Sequence, residues 1–175
     1  MATPLLFSTI EVTRQAFYRT TLSYAIVNLK PIVPGHVLVI PTRPVPRLTD
    51  LTTPELTSLI TSVQDVGRVV EKAYGGDGLT VACQDGKAAG QSIPHVHFHI
   101  LPRKFKGDIF SERMDDVYPA LENSEASLAR DLQQVKGGLY QPLKVDADES
   151  RPPRTLEEME KEAAWLRAIF SSTIH

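Results

Sequence analysis

Hydrophobic and polar positions follow two rhythms along this chain. Short apolar runs rich in β-branched residues cover Leu22 to Asn28, in "TTLSYAIVNLKP", and His36 to Ile40, in "GHVLVIP". The "KPIVPG" between them holds two prolines and a glycine, so the pattern predicts two strands joined by hairpin-like punctuation. The rhythm then lengthens. Leu56, Leu59, Ile60, Val63, Val66 and Val70 recur at three- and four-residue spacing, which places them on one face of a helix. Thr52 and Glu55 form a capping box at its start, and Gly75-Gly76 stops it. Strand-like runs return in "LTVACQ" (79–84) and in "HVHFHIL" (95–101), the latter closed by Pro102, with the polar "DGKAAGQ" between them.

Beyond Lys106 neither rhythm persists. Residues 107–154 carry many charges and no long apolar run, which predicts an exposed, mobile insertion with a short helix over "LENSEASLARDLQQV". Helical spacing resumes in "TLEEMEKEAAWLRAIF". There Thr155 and Glu158 make a second capping box, and Leu156, Met159, Ala163, Leu166 and Phe170 share one side. This helix is expected to pack back onto the body. With hairpin strands and one long helix between the second and third, the chain reads as α+β: a mainly antiparallel sheet with helices on one face, in a single domain over 1–175.

Charge and composition narrow the classes. The formal net charge is −2, which gives no electrostatic footprint for nucleic acid. The single cysteine, Cys83, excludes an internal disulfide and fits a reducing compartment. The first residues, "MATPLLFSTIEV", lack a basic stretch and a long apolar run, so no signal peptide is expected, and no segment approaches membrane-spanning length. A cytosolic or nuclear protein is the expectation.

Of five histidines, three stand at alternate positions: His95, His97 and His99. On a strand, alternate side chains share a face and lie roughly 6.5–7 Å apart, leaving Val96, Phe98 and Ile100 for the core. A solvated face that happens to carry histidines is one reading. A Zn²⁺ site completed by Asp85 or His36 is another, although neither a cysteine pair nor an HExxH helix supports it. Phosphate chemistry is the third, with an imidazole as nucleophile and neutral donors around it. The surroundings favour the third: Gln84 ends the preceding strand, and Gln91 and Ser92 follow Gly90, where the backbone can approach closely. Each of these polar residues, taken singly, also suits an ordinary loop, and His36 alone suits a satisfied core histidine.

"HVHFHIL" matches the histidine-triad pattern, and with "NLKPIVPGHVLVIPTRPVPRLTDL", "QDGKAAGQ" and "HVHFHILPRKFKGD" the chain resembles the fragile-histidine-triad branch of that superfamily over roughly residues 20–110. That branch comprises dinucleoside polyphosphate hydrolases typified by bis(5′-adenosyl)-triphosphatase. The related phosphoramidase branch follows its triad with glycines, whereas "PRK" follows here. The resemblance implies that His97 attacks the α-phosphorus and forms a nucleotidyl-histidine, with His95 and His99 beside it and His36 packed near the same site. It implies further that Gln84, Gln91 and Ser92 contact the phosphates and that Asn28 meets the ribose. No tightly bound cofactor and no protein-held metal are implied; Mg²⁺ or Mn²⁺ would accompany the substrate phosphates. The implied assembly is a homodimer whose sheets join across a two-fold axis. A nucleotide-binding signalling module with incidental turnover and an adenosine phosphoramidase are the alternatives.

Overall fold

The computed structural model describes residues 3–136 and 153–173. A short hairpin, β1 (Leu6–Phe7) and β2 (Ile10–Glu11), turns at Ser8, whose φ is 56°. A five-stranded sheet follows, built from β3 (Ala16–Arg19), β4 (Ser23–Val27), β5 (Val37–Pro41), β6 (Gly78–Ala82) and β7 (Phe98–Arg103). Its order is β3-β4-β5-β7-β6, and every neighbouring pair is antiparallel. Three helices complete the chain: α1 (Thr53–Ala73), α2 (Val117–Lys136) and α3 (Leu156–Thr173). The fold is α+β, as the alternation of periods predicts.

Every residue of β4 and β5 is buried, because both faces of the sheet centre are covered. On one face α1 packs against β4, β5 and β7, while α3 lies against β3, β4 and α1. On the other lie the β1–β2 hairpin and α2. The Tyr24 hydroxyl donates to the Leu6 carbonyl at 2.8 Å, which ties the hairpin to that second face. The cross-strand row Ile26–Leu38–His99 shares the same face.

The helix caps are those read from the sequence. Thr52 and Glu55 exchange hydrogen bonds at the start of α1, and Thr155 and Glu158 do so before α3. Leu59, Val66 and Val70 are buried in α1, but Leu56 and Ile60 are exposed, so the buried stripe is narrower than the apolar one. Met159, Ala163, Leu166 and Phe170 bury the inner side of α3.

Two segments differ from expectation. The last strand begins at Phe98, not at residue 95. Pro41, at the end of β5, has no N–H to offer the ladder, and its carbonyl is taken by the His95 ring at 2.7 Å. The Val96 N–H turns instead to the Val45 carbonyl. Second, the stretch expected to be an exposed insertion contains α2, whose Val117, Leu121, Leu128 and Leu132 are buried. Where the next apolar residue of that stripe would fall stand Ser124 and Glu125, and both are buried. That polar interruption hides the helix's inner face from a hydrophobicity pattern. The remainder of the expected insertion, 137–152, lies outside the described residues. Among the described residues, no helix is long and apolar enough to cross a membrane.

Candidate active site

The three triad histidines are buried, and each is oriented by a different neighbour. His95 Nδ1 accepts from the Ser8 N–H at 2.9 Å, so its hydrogen sits on Nε2 and goes to Pro41. Burial pushes the His95 pKa down to about 4, against the opposing bond to Pro41, so this ring is neutral at pH 7.

His97 donates from Nδ1 to the carbonyl of His95 at 2.7 Å. Its Nε2 is therefore the nitrogen left for chemistry, and it points at Glu125 Oε2, 2.9 Å away. Phe7 stands edge-on to the ring with centroids 5.1 Å apart and also packs against His95. The hairpin thus forms a dry wall beside the central imidazole.

His99 ends a relay that starts in the backbone. The Ile32 N–H is 3.2 Å from His36 Nδ1, His36 Nε2 is 2.9 Å from His99 Nδ1, and His99 Nε2 is 3.2 Å from Glu125 Oε2. A lone pair at His36 Nδ1 sets the direction of every later donor, so His99 presents an N–H to the carboxylate. Burial lowers the His99 pKa, although the bond to Glu125 works against it. Asn28 is buried against His36, its Nδ2 3.1 Å and 3.3 Å from the two ring nitrogens.

Glu125 is fully buried, and four donor groups converge on it. Oε1 accepts from the Ser92 N–H at 2.9 Å and the Ser92 hydroxyl at 3.1 Å, and Oε2 meets His97 and His99. Burial pushes the carboxyl's pKa up, but the bonds from His97 and His99 outweigh it and hold the group well below the usual carboxylate range. A proton lies between His97 Nε2 and Oε2, since two lone pairs do not meet at 2.9 Å without one. The arrangement is a buried anion cradle.

Gln91 and Gln84, the other residues expected at the phosphates, do not bond to Glu125. The Gln91 carboxamide accepts from the Gly86 N–H and donates to the Pro46 carbonyl, both at 2.8 Å, so it fastens the loop after β6. Gln84 keeps a buried Oε1 that has no hydrogen-bond partner. Gly90 is required beside it: φ is 90°, and a Cβ there would come within 2.8 Å of Gln84 Nε2. Asp85 pairs with Arg47 and accepts from the Leu48 N–H, away from the triad. The ligand atoms of His97, His99 and Glu125 lie within 4.8 Å of one another and are of the type that holds Zn²⁺. The Ser92 N–H that completes the cradle can only donate, which suits an anion.

The HIT domain model matches residues 9–106, which hold all four clustered histidines and Ser92. The chain belongs to the HIT domain family. It is 52% identical to the bis(5′-nucleosyl)-tetraphosphatase [asymmetrical] of Schizosaccharomyces pombe over 98% of this chain and 97% of that one. It is 46% identical to the bifunctional bis(5′-adenosyl)-triphosphatase/adenylylsulfatase of Arabidopsis thaliana, over 90% of this chain and 78% of that one. The fold is that of Plasmodium falciparum diadenosine triphosphate hydrolase, with a TM-score of 0.70, 23% identity, and coverage of 100% of this chain and 89% of that one. Two site elements of this HIT protein escape sequence reading. Glu125 lies outside the matched domain, and its one sequence signal is a carboxylate inside an apolar helical stripe. Phe7 ends a strand of two residues and Ser8 stands in the turn after it, a hairpin too short to carry a period.

Proposed function

We propose that this chain is a dinucleoside polyphosphate hydrolase working through a covalent nucleotidyl-histidine on His97. One observation carries the reading: His97 Nε2, His99 Nε2 and both donors of Ser92 surround a single anionic group. The named activities of the relatives from Schizosaccharomyces pombe and Arabidopsis thaliana support the substrate class.

In this reading the α-phosphate of the substrate takes the cradle. His97 Nε2, deprotonated, attacks the α-phosphorus; an N–P bond forms as the bond to the leaving nucleotide's oxygen breaks, and that nucleotide departs as ADP or ATP. The positive charge left on the ring is shared with the His95 carbonyl through Nδ1–H. His99 and Ser92 donate to the non-bridging oxygens, where charge builds. Water then cleaves the N–P bond and releases AMP. Mg²⁺ or Mn²⁺ accompanies the substrate phosphates. Gln84, with its unpaired carboxamide oxygen and an Nε2 beside Gly90, is the further donor within reach of the loop; Gln91 serves by holding that loop. Asn28 acts through His36, and on the family reading faces the ribose.

The protein works as a homodimer joined through a sheet edge, for which β6 supplies an edge strand with exposed Val81. Its single cysteine, half-buried, is in keeping with the cytosol or nucleus.

The deciding experiment is a product assay on diadenosine triphosphate, diadenosine tetraphosphate and adenosine phosphoramidate. AMP with ADP or ATP is expected. Preference for the phosphoramidate, or tight binding without turnover, would replace this reading with a phosphoramidase or a signalling module. Stereochemistry separates histidine attack from a Zn²⁺-held hydroxide on His97, His99 and Glu125. Two in-line displacements retain configuration at the α-phosphorus and one inverts it, so inversion would restore the metal reading.

A further inference from the structure

The proposed nucleophile is sealed in the closed site. His97 is 2% exposed, and Glu125 Oε2 stands 2.9 Å from the nitrogen that must attack. A reacting phosphorus needs to come within about 3–3.5 Å of that nitrogen in line. Carboxylate and phosphate therefore compete for one place, and all four donors around Glu125 are those assigned above to the phosphate and its attack.

The helix that carries Glu125 is attached through its side chains. No strand pairs with it. Leu128 and Leu132 rest on the main core, and Val117 and Leu121 rest on a smaller cluster with Ile32, Val33, Leu101 and Phe110. One ion pair, Lys30 to Asp131 at 3.0 Å, adds to these contacts. Closing desolvates a carboxylate and returns hydrogen bonds and an imidazole partner, a near-balanced exchange; opening returns the carboxylate to water. The apolar contacts of α2 tip the balance toward closed.

We propose that α2 is a built-in competitor: in the resting protein Glu125 occupies the α-phosphate position at His97, and substrate binds only as the helix gives way. This rests on the hydrolase reading above, and it names the regulation of the same site. As the helix lifts, Glu125 departs as the carboxylate and the proton on His97 Nε2 passes to solvent, which frees the lone pair. A polyphosphate carries more negative charge than one carboxylate and can take the same donors, so the substrate supplies the differential affinity that opening requires.

Two variants of the full-length protein test this. Glu125→Ala removes the competing group, and Asp131→Asn loosens the helix without touching any residue of the site. With a lid closed about nine-tenths of the time, apparent affinity is masked about tenfold. Glu125→Ala is therefore expected to lower KM for diadenosine triphosphate by about tenfold, and Asp131→Asn to lower it by a smaller factor with kcat unchanged. A readout free of substrate runs beside these. Carbethoxylation of His97 by diethyl pyrocarbonate, mapped by mass spectrometry, is expected to be slow in the parent protein and faster in both variants. Hydrogen exchange across 117–136 is expected to speed up when AMP is added. Slower exchange with AMP would overturn the proposal, because α2 would then be clamping the ligand. A rise in KM in folded Glu125→Ala would also overturn it, making Glu125 part of the binding machinery, as would unaltered His97 reactivity in both variants. If no variant hydrolyses a dinucleotide yet His97 reacts faster in both, the hydrolase reading falls and the competitor stands.

Discussion

The two walls of the cradle are held by different forces. The sheet-side wall, with His36, His95 and His99, is oriented by main-chain groups: the Ile32 N–H, the Ser8 N–H and the Pro41 carbonyl. The α2 wall presents one side chain to the histidines, Glu125, on a helix attached through side chains: buried Val117, Leu121, Leu128 and Leu132, the Lys30–Asp131 pair, and the bonds of Glu125 itself. These donors and the acceptor belong to the main chain of the hairpin turn, the β4–β5 loop and the end of β5, so the imidazole tautomers are set by the path of the backbone. A helix resting on side chains can leave while the sheet stays intact. On the proposal above, the first wall carries the permanent chemistry and the second an exchangeable occupant.

The largest effect should come from the atom between them. His97→Ala is expected to reduce kcat by on the order of 10⁴-fold or more, since the bond-forming group is gone while the donors remain. AMP binding, measured by calorimetry, should survive. Turnover near the parent rate in His97→Ala would remove the nucleophile from this histidine and with it the meaning of the contrast.

The two walls were also unequally legible in the sequence. Alternate spacing of His95, His97 and His99 marks the chemistry, and the apolar spacing of α1 and α3 with their Thr–Glu boxes marks the helices. Ser92 was legible as a donor beside the triad. The α2 wall was not, because Ser124 and Glu125 break its stripe and the partners of Glu125 lie 26 and 28 residues earlier. Gln91 reads ambiguously for a local reason: an amide at a loop end satisfies nearby backbone as readily as a ligand, and both its ends are engaged by Gly86 and Pro46. The shifted start of β7 is likewise a pairing effect, decided by Pro41 and Val45 far along the chain.

Leu128→Ala sharpens the comparison. Truncating a buried leucine costs about 2–5 kcal/mol. If α2 opens by itself, that loss should appear as reduced exchange protection within 117–136, with β4 and β5 protected as before. Equal loss of protection in those strands would show one cooperative unit and no separate wall.

His95 tests the first wall through pH. Its folded pKa, about 4, lies below the ordinary value of 6.5, so folding favours the neutral ring. The resulting stability is present above pH 6.5 and is lost as pH falls through the folded value near 4. The full span amounts to at most about 3 kcal/mol. His95→Gln, whose amide can still donate to the Pro41 carbonyl, removes the titration. Its denaturation midpoint, followed from pH 7 to 4, should fall less steeply than the parent's. Parallel curves would mean that the fold does not depress the His95 pKa.

The smallest effect concerns how firmly the hairpin is fastened to the sheet. Tyr24 donates to the Leu6 carbonyl, Ser8 donates to His95, and Phe7 packs its ring against His95 and His97. Tyr24→Phe removes only the first of these and leaves the Leu6 carbonyl without that donor, a loss of about 1 kcal/mol. The aromatic body still fills its place, and the other two attachments still hold Phe7 beside His97. Thermal unfolding should therefore shift by a few degrees, about what 1 kcal/mol produces in a domain of this size, while KM changes by less than about twofold. A tenfold rise in KM would show that the hairpin hangs on this one hydroxyl. It would then belong with α2 among the parts that move, and the main-chain bond from Ser8 would not be enough to hold a wall in place.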